Sequence, residues 1–165
     1  MRILIGIDGS PATVKAIRFV SELFGKTRSA DLRITLMHVT QSIPDENLSP
    51  GIPKSLGTDY QRIMDEAKAT RKAQGDKLLQ EQSLALQAAG IPSDQISTKL
   101  EVSSARPESS EVAAALAIIN EMNSGNYEVV CIGRRGTTAA HGVFLTSLAE
   151  KVLREARGRT VWVVD

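Results

Sequence analysis

The stretch ILIGIDGS, residues 3 to 10, determines the predicted fold. Ile3 to Ile7 is apolar throughout apart from Gly6, which is typical of a strand buried on both faces of a parallel sheet. Asp8 and Ser10 then place polar side chains directly after the strand, beside a glycine that favours a turn. We therefore expect a buried first strand with polar groups at its carboxyl end.

Outward from this stretch, short apolar runs alternate with longer amphipathic stretches. Further strands are predicted at 34–39, 96–102, 129–132 and 161–164. Alternation of this kind is the signature of βαβ units around a parallel sheet. The sequence predicts the α/β class, with three α/β/α layers and an open, doubly wound sheet of five parallel strands.

Four helices are predicted between these strands, each with an apolar stripe at helical spacing. The first ends at Gly25, and the second, a charged helix from 58 to 89, contains Gly75 as a candidate bend. The residues expected to face the sheet are Val14, Ile17, Val20 and Phe24 in the first helix; Tyr60, Ile63, Ala67, Leu78, Leu79 and Leu86 in the second; Val112, Ala115, Leu116 and Ile119 in the third; and Leu148, Val152 and Ala156 in the fourth.

Length and composition limit the partners that we expect. The 165 residues suit one domain spanning 1–165, with a long loop at 41–55 that serves as a lid or a spacer. A net charge of +1 with acids and bases mixed gives no reason to expect nucleic acid or a membrane surface as partner. One cysteine and an amino terminus without the pattern of a signal peptide favour a cytoplasmic protein.

Candidate site residues lie at the carboxyl ends of three of the predicted strands. Asp8 and Ser10 follow the first, His38 and Val39 end the second, and the glycine loop GRRGTTAAHGVFLTS, residues 133 to 147, follows the fourth. In open α/β sheets, ligands bind outside the carboxyl ends of the strands. We expect these three features to converge on one site.

These features together resemble the universal stress protein family over nearly the whole chain. The resemblance rests on ILIGIDGS, on LMHV at residues 36 to 39, and on IGRRG at residues 132 to 136. It implies an adenine-nucleotide alpha-hydrolase-like fold that binds ATP, or AMP or ADP, with or without Mg²⁺. It also implies that Asp8 contacts the adenosine and that the main chain of Val39 contacts the adenine.

The family's phosphate-binding pattern is G-x-x-G, nine residues, then G-[ST]. Gly133 and Gly136 match its first two glycines, and Ser147 matches its terminal hydroxyl. Thr146 stands in place of the third glycine, where either an unusual backbone angle or close approach to phosphate would require glycine. The threonine hydroxyl could still donate to an anion, and Gly142 could take up part of the conformational demand.

Several of these residues also have a purely structural interpretation. Asp8 before a glycine could make an Asx-type bond to the following backbone. Ser147 and Glu150 form a capping box, so the serine hydroxyl could serve the amides of its own helix. Arg134 and Arg135 could approach phosphates or lie on the surface.

The remaining candidates point to structure more than to catalysis. His38 is interpreted as a structural histidine at a strand end, and Cys131 as packing within a strand. His141 could contact a ligand or face solvent. The sequence contains no P-loop, no G-x-G-x-x-G after a strand, no G-x-S-x-G and no zinc spacing, so any hydrolysis of a bound nucleotide should be slow.

Three functional hypotheses follow. The first is a homodimer, paired through the C-terminal strand, that binds an adenine nucleotide and acts as a regulatory module in stress response. The second is a dimeric interaction protein of the same fold that has lost nucleotide binding, with Thr146 as the sign of that loss. The third is a slow ATPase that uses the same site.

Overall fold

The computed structural model describes residues 1–27, 29–41, 58–103, 110–134 and 145–165, and it shows a parallel sheet between two layers of helices. The α/β class predicted from the sequence is confirmed. A short 3₁₀ turn, Ser93–Gln95, precedes the third strand. The strands and helices are, in chain order, β1 (Arg2–Ile7), α1 (Pro11–Phe24), β2 (Arg33–Gln41), α2 (Thr58–Ala88), β3 (Ile96–Ser103), α3 (Ser110–Ser124), β4 (Val129–Gly133), α4 (Ser147–Glu155) and β5 (Thr160–Val164).

The strand order in the sheet is β3-β2-β1-β4-β5, and every neighbouring pair is parallel. Ile7 is aligned with His38 on β2, and Ile5 with Cys131 on β4. The connections that leave β1 and β4 lead to helices on opposite faces of the sheet. The gap between the carboxyl ends of these two strands is therefore the switch point at which ligands bind in open α/β folds.

Each face of the sheet has its own apolar core. One core joins the sheet to α1 and α2 through residues that include Ile17, Val20, Leu79 and Leu86. The other joins it to α3 and α4 through Ile118, Met122, Ala149 and Val152. Helices on both faces make the sheet doubly wound, as the sequence predicts.

Helix α1 buries a different stripe from the one predicted. Val14 is 58% exposed, whereas Thr13 is 1% exposed. The Thr13 hydroxyl donates to Asp8 Oδ1 at 2.7 Å, and this bond turns a polar side chain inward at the start of the helix. The expectation for Val14 was wrong because apolar spacing carries no information about that bond.

Helix α3 shows a similar difference. Leu116 was expected to face the sheet but is 51% exposed, and Ile118 is buried in its place. Residues 112 to 119 are all apolar, so the local sequence does not define which face is buried. Ile118 fits against the sheet because β1 has Gly6 there, where a Cβ would lie 3.3 Å from Ile118 Cδ1.

Helix α2 runs without interruption through Gly75, the candidate bend. Gly75 is buried, and a Cβ at this position would lie 2.7 Å from Leu100 Cδ1 and 3.1 Å from His38 Cδ2. The glycine therefore lets the helix approach β2 and β3 closely.

Within the described residues, no helix is long and apolar enough to cross a membrane.

Strand β2 is longer than predicted. It continues to Gln41, which the sequence assigned to the loop at 41–55. The rest of that loop lies outside the described residues, as does the side chain of Tyr60. The extension places the Gln41 side chain at the same edge of the sheet as Asp8.

Candidate functional site

A cavity of about 420 Å³ lies at the carboxyl ends of the strands, at the switch point. Asp8 follows β1, Val39 belongs to β2 and Gly133 ends β4, and all three line it. Thr146, directly before α4, completes the set of predicted site residues in its wall. Helices α2 and α3 contribute further residues. The structure thus brings together the three features that the sequence places at strand ends.

Asp8 makes the turn after β1. Its Oδ1 accepts hydrogen bonds from the Ser10 amide at 2.9 Å and the Thr13 hydroxyl at 2.7 Å. Gly9 has a φ of +75°, a conformation that glycine adopts readily. Within the described part of the chain, the second oxygen, Oδ2, has no hydrogen-bond partner. The Asx-type bond is therefore present, and it leaves one carboxylate oxygen of a cavity-lining residue available to a ligand.

Ser10 serves the fold. It is 3% exposed, and its hydroxyl caps α1 by accepting from the Thr13 amide at 3.4 Å. It is absent from the lining of the cavity. Its position after β1 thus fixes the start of the helix and, through it, the turn that contains Asp8.

His38 and Val39 lie on opposite faces of β2, and both line the cavity. His38 Nδ1 is 2.7 Å from the Ile7 carbonyl oxygen. A carbonyl can only accept, so Nδ1 carries a proton and donates. The ring also packs beside Gly75 of α2. These contacts agree with a structural role for His38 and hold the carboxyl ends of β1 and β2 together.

Gln41 was missed as a site residue because the sequence placed it in a loop. Its side-chain Nε2 is buried and, among the described residues, has no hydrogen-bond partner. The backbone carbonyl oxygen of Gln41 accepts a hydrogen bond from Arg71 Nη1 of α2 at 3.1 Å. Both residues line the cavity. Unpaired buried donors are uncommon in folded proteins, and this one leaves a hydrogen bond that a ligand or water in the cavity could make.

Thr146 has the geometry of a helix cap. Its φ and ψ are −66° and 158°, an extended conformation open to any residue. Its Oγ1 accepts from the Ala149 amide at 3.2 Å, so the cap of α4 is Thr146 and not Ser147. The predicted capping box of Ser147 and Glu150 was therefore wrong by one residue. In this conformation the backbone at 146 does not need glycine.

Ser147 does not line the cavity, although its neighbours Thr146 and Leu148 do. Its hydroxyl donates to Glu111 Oε2 in the first turn of α3. Glu111 does line the cavity. Sequence reasoning missed this glutamate because it lies on an element far away in the chain. The bond joins the first turns of two helices beside the site.

The side chain of Arg134 points toward Asp165. Its Nη1 donates to Asp165 Oδ2 at 2.7 Å, and it is absent from the described cavity lining. Its carbonyl accepts from the Thr146 amide at 3.3 Å, which ties β4 to the start of α4. The other residues of the glycine loop that the sequence singled out lie outside the described residues: Arg135, Gly136, His141 and Gly142.

The described side chains offer little reactive chemistry. Burial raises the pKa of the Cys131 thiol to about 12, so it stays protonated and unreactive at neutral pH. In the described ranges, no group of three or more His, Cys, Asp or Glu side chains could hold a metal ion.

A model of the universal stress protein family matches residues 1–165. The chain belongs to the universal stress protein family. No curated protein matches it significantly. Its sheet order and four helices give the adenine-nucleotide alpha-hydrolase-like fold of universal stress proteins.

Solved structures of low sequence identity share this fold. A hypothetical protein whose biochemical function was assigned from its structure aligns with a TM-score of 0.72 and 17% identity, covering 99% of this chain and 94% of that one. A universal stress protein from Lactobacillus plantarum aligns with a TM-score of 0.70 and 14% identity, covering 100% and 97%. A universal stress protein in complex with cAMP aligns with a TM-score of 0.60 and 15% identity, covering 99% and 95%.

Proposed function

We propose that this universal stress protein binds an adenine nucleotide and acts as a regulatory module in stress response. The observation that carries the proposal is the cavity at the switch point, which Asp8, Val39, Gly133 and Thr146 line together. Its volume of about 420 Å³ lies within the range typical of small-molecule sites. The family match and the relative solved with cAMP support the class of ligand.

Each part of the cavity suits one part of a nucleotide. Met37, Ile118 and Ile132 give it apolar walls against which a base can pack. The Val39 main chain and the unpartnered Gln41 amide can recognise the edge of the adenine. These groups lie along β2 and the helix-α3 face of the sheet.

The sugar and phosphates would lie nearer β1 and β4. Oδ2 of Asp8 can accept from the ribose hydroxyls. Phosphates would lie beside Gly133 and the first turn of α4, where backbone amides and the helix dipole favour anions. The Thr146 hydroxyl only accepts in the helix cap, so its own proton would be available to donate to a phosphate, whereas its amide is bonded to the Arg134 carbonyl.

A regulatory role requires the ligand to favour one arrangement of the protein over another. The surface that would respond contains the first turns of α3 and α4, because both helices line the cavity. A partner that contacts this surface would then sense occupancy of the site. No chemical change of the nucleotide is needed for such a response.

We further propose a homodimer through β5. This strand pairs with β4 on one side, and within the described sheet it has no strand on the other. Phe19 of α1 lies beside it, with its ring 5.3 Å from that of Trp162, and is 38% exposed. Sedimentation should show a dimer that Val163→Glu converts to monomer with its circular dichroism retained. A natural chain that is monomeric at every concentration would contradict the proposal.

Calorimetric titration of nucleotide-free protein with Mg-ATP tests the proposed function. We expect micromolar binding by the natural chain and similar binding by Thr146→Gly, because the backbone at 146 does not need glycine. Binding only by the glycine variant, or by neither, would favour the interaction protein without nucleotide. Phosphate release that is lost in Asp8→Ala would favour the slow ATPase.

A further inference from the structure

The side of the cavity that faces α2 is polar, and the proposed function leaves it unused. His38 packs beside Gly75 of α2, so its side chain lies on the α2 face of the sheet. Thr40 shares that face because it lies two residues further along β2. Both residues line the cavity, as do Arg71 and Gln74, which lie about one turn apart on α2. Polar side chains from a strand and a helix therefore line the same side of the cavity.

Arg71 provides a positive charge on this side. It is the only lysine or arginine among the described residues that line the cavity. Its Nη1 donates to the Gln41 carbonyl oxygen, which leaves the other N–H groups of the guanidinium without a partner in the described part of the chain. The nearest acidic residues along α2 in either direction, Glu66 and Asp76, are paired with other basic residues of the helix. The guanidinium is therefore available to an anion.

Thr40 and Gln74 add neutral hydrogen-bonding groups to the same side. Neither the Thr40 hydroxyl nor the Gln74 amide has a partner among the described residues. A guanidinium, a hydroxyl and an amide are donors that suit the oxygens of a phosphate, and arginine can bind two of these oxygens at once. We propose that Thr40, Arg71 and Gln74 form a second subsite of the cavity, which binds a phosphate group.

The phosphate would belong to the ribose of a bound nucleotide or would be a free ion. The first source rests on the proposed function, which places the ribose at the end of β1 and the 5′-phosphates toward β4. Strand β2 lies on the other side of β1 from β4, so the 5′-phosphates lead away from Arg71. A phosphate on the 2′- or 3′-hydroxyl would reach the subsite, while the other hydroxyl donates to Asp8 Oδ2. A free phosphate ion offers the same oxygens.

The substitution Arg71→Gln tests this inference. Arg62→Gln is the matched control, since it removes the same charge from α2 at a position roughly 13 Å along the helix that does not line the cavity. Calorimetry gives the dissociation constants of AMP and of adenosine 2′,5′- and 3′,5′-bisphosphate. We expect the natural chain and Arg62→Gln to bind one bisphosphate about tenfold more tightly than AMP, and Arg71→Gln less than about twofold more tightly. The ratio cancels any effect of losing the bond to the Gln41 carbonyl, because all three ligands share it.

Inorganic phosphate distinguishes the two sources. If the subsite takes the free ion, phosphate should bind to the natural chain and to Arg62→Gln but not to Arg71→Gln, without a preference for either bisphosphate. The inference is overturned if neither effect is seen, if the effect survives in Arg71→Gln, or if Arg62→Gln loses it equally. If AMP binds to none of the proteins, the proposed function fails, whereas phosphate binding that only Arg71→Gln loses would still support the subsite.

Discussion

The two ends of the sheet use polar side chains in opposite ways. At the amino end, on the face covered by α3, four residues form a network in which each one bonds to another: Thr35, Lys99, Glu121 and Tyr127. At the carboxyl end, polar groups surround a cavity of about 420 Å³, and two of their atoms, Asp8 Oδ2 and Gln41 Nε2, have no partner among the described residues. The first arrangement stabilises a fold, and the second leaves bonds for a ligand to make.

The amino-end network shows how completely such groups can be satisfied. Glu121 accepts from Lys99 and from the Tyr127 hydroxyl, which also lies 3.1 Å from Thr35 Oγ1. Burial acts to raise the pKa of Glu121, but the hydrogen bonds from Lys99 and Tyr127 outweigh it and hold that pKa below its ordinary value. Burial raises the pKa of Tyr127, which is 5% exposed, so its hydroxyl keeps the proton that it donates.

The largest effect is expected where α2 closes over the carboxyl end. Gly75→Val would push a β-branched side chain against Leu100 and His38, where even a Cβ has contacts of 2.7 and 3.1 Å. We expect the free energy of unfolding to fall by about 3 kcal/mol. Urea denaturation measures this, with Gln80→Val on the exposed face of the same helix as control. Equal losses in the two variants would show that Gly75 is not a close-packing position.

At the amino end, Glu121→Ala removes the acceptor shared by Lys99 and Tyr127. We expect a loss of about 2 kcal/mol in unfolding free energy, because the buried tyrosine hydroxyl keeps only Thr35 as a neighbour. Nucleotide affinity should stay unchanged, since the network lies away from the cavity. The control is Glu81→Ala, whose ion pair with Lys77 is exposed and worth little. A changed nucleotide affinity in Glu121→Ala would mean that the two ends are coupled.

Asp8→Asn separates the two roles of Asp8. Asparagine keeps an oxygen for the Ser10 amide and the Thr13 hydroxyl but replaces the second carboxylate oxygen with a donor. Nucleotide affinity should fall about tenfold, or roughly 1.4 kcal/mol, while the unfolding free energy changes much less. Titration calorimetry and urea denaturation measure the two quantities. If nucleotide affinity were unchanged in Asp8→Asn, Asp8 would have only its structural role in the turn after β1.

The smallest effect is a dependence of stability on pH. The pKa of Glu121 is lowered on folding from its ordinary 4.5, so its contribution is present above pH 4.5 and is lost as the pH falls below that value. The hydrogen bond to Glu121 raises the pKa of Lys99. The stability that Lys99 contributes is therefore present below its ordinary pKa of 10.5 and is lost as the pH rises above that value. Lys99 is 43% exposed, which makes its share small. Unfolding measured from pH 6 to pH 3 should show a shallower decline for Glu121→Gln; parallel curves would contradict this.

Much of the fold could be predicted because strands buried on both faces have a strong local pattern. The ranges 129–132 and 161–164 each differ from the observed strand by one residue. The faces of the helices were harder to predict. Thr13 is buried through its bond to Asp8, and α3 is apolar over a continuous run, so neither Val14 nor Leu116 could be placed from spacing alone.

The candidate site was predictable where it follows the ends of strands. Asp8, Val39 and Gly133 reach one cavity because parallel strands end at the same edge. The same reasoning could not find three further residues of the cavity wall. Gln41 reaches the wall because β2 extends two residues beyond its predicted end, and helices α2 and α3 bring Arg71 and Glu111 there. Local sequence also gave the wrong cap for α4, because both Thr146 and Ser147 are good capping residues.

A crystal structure of the protein grown with AMP tests the central claim most directly. The proposal predicts the adenine against the Val39 main chain, with the ribose hydroxyls within hydrogen-bond distance of Asp8 Oδ2. AMP bound elsewhere, or a cavity without nucleotide in crystals saturated with AMP, would contradict it.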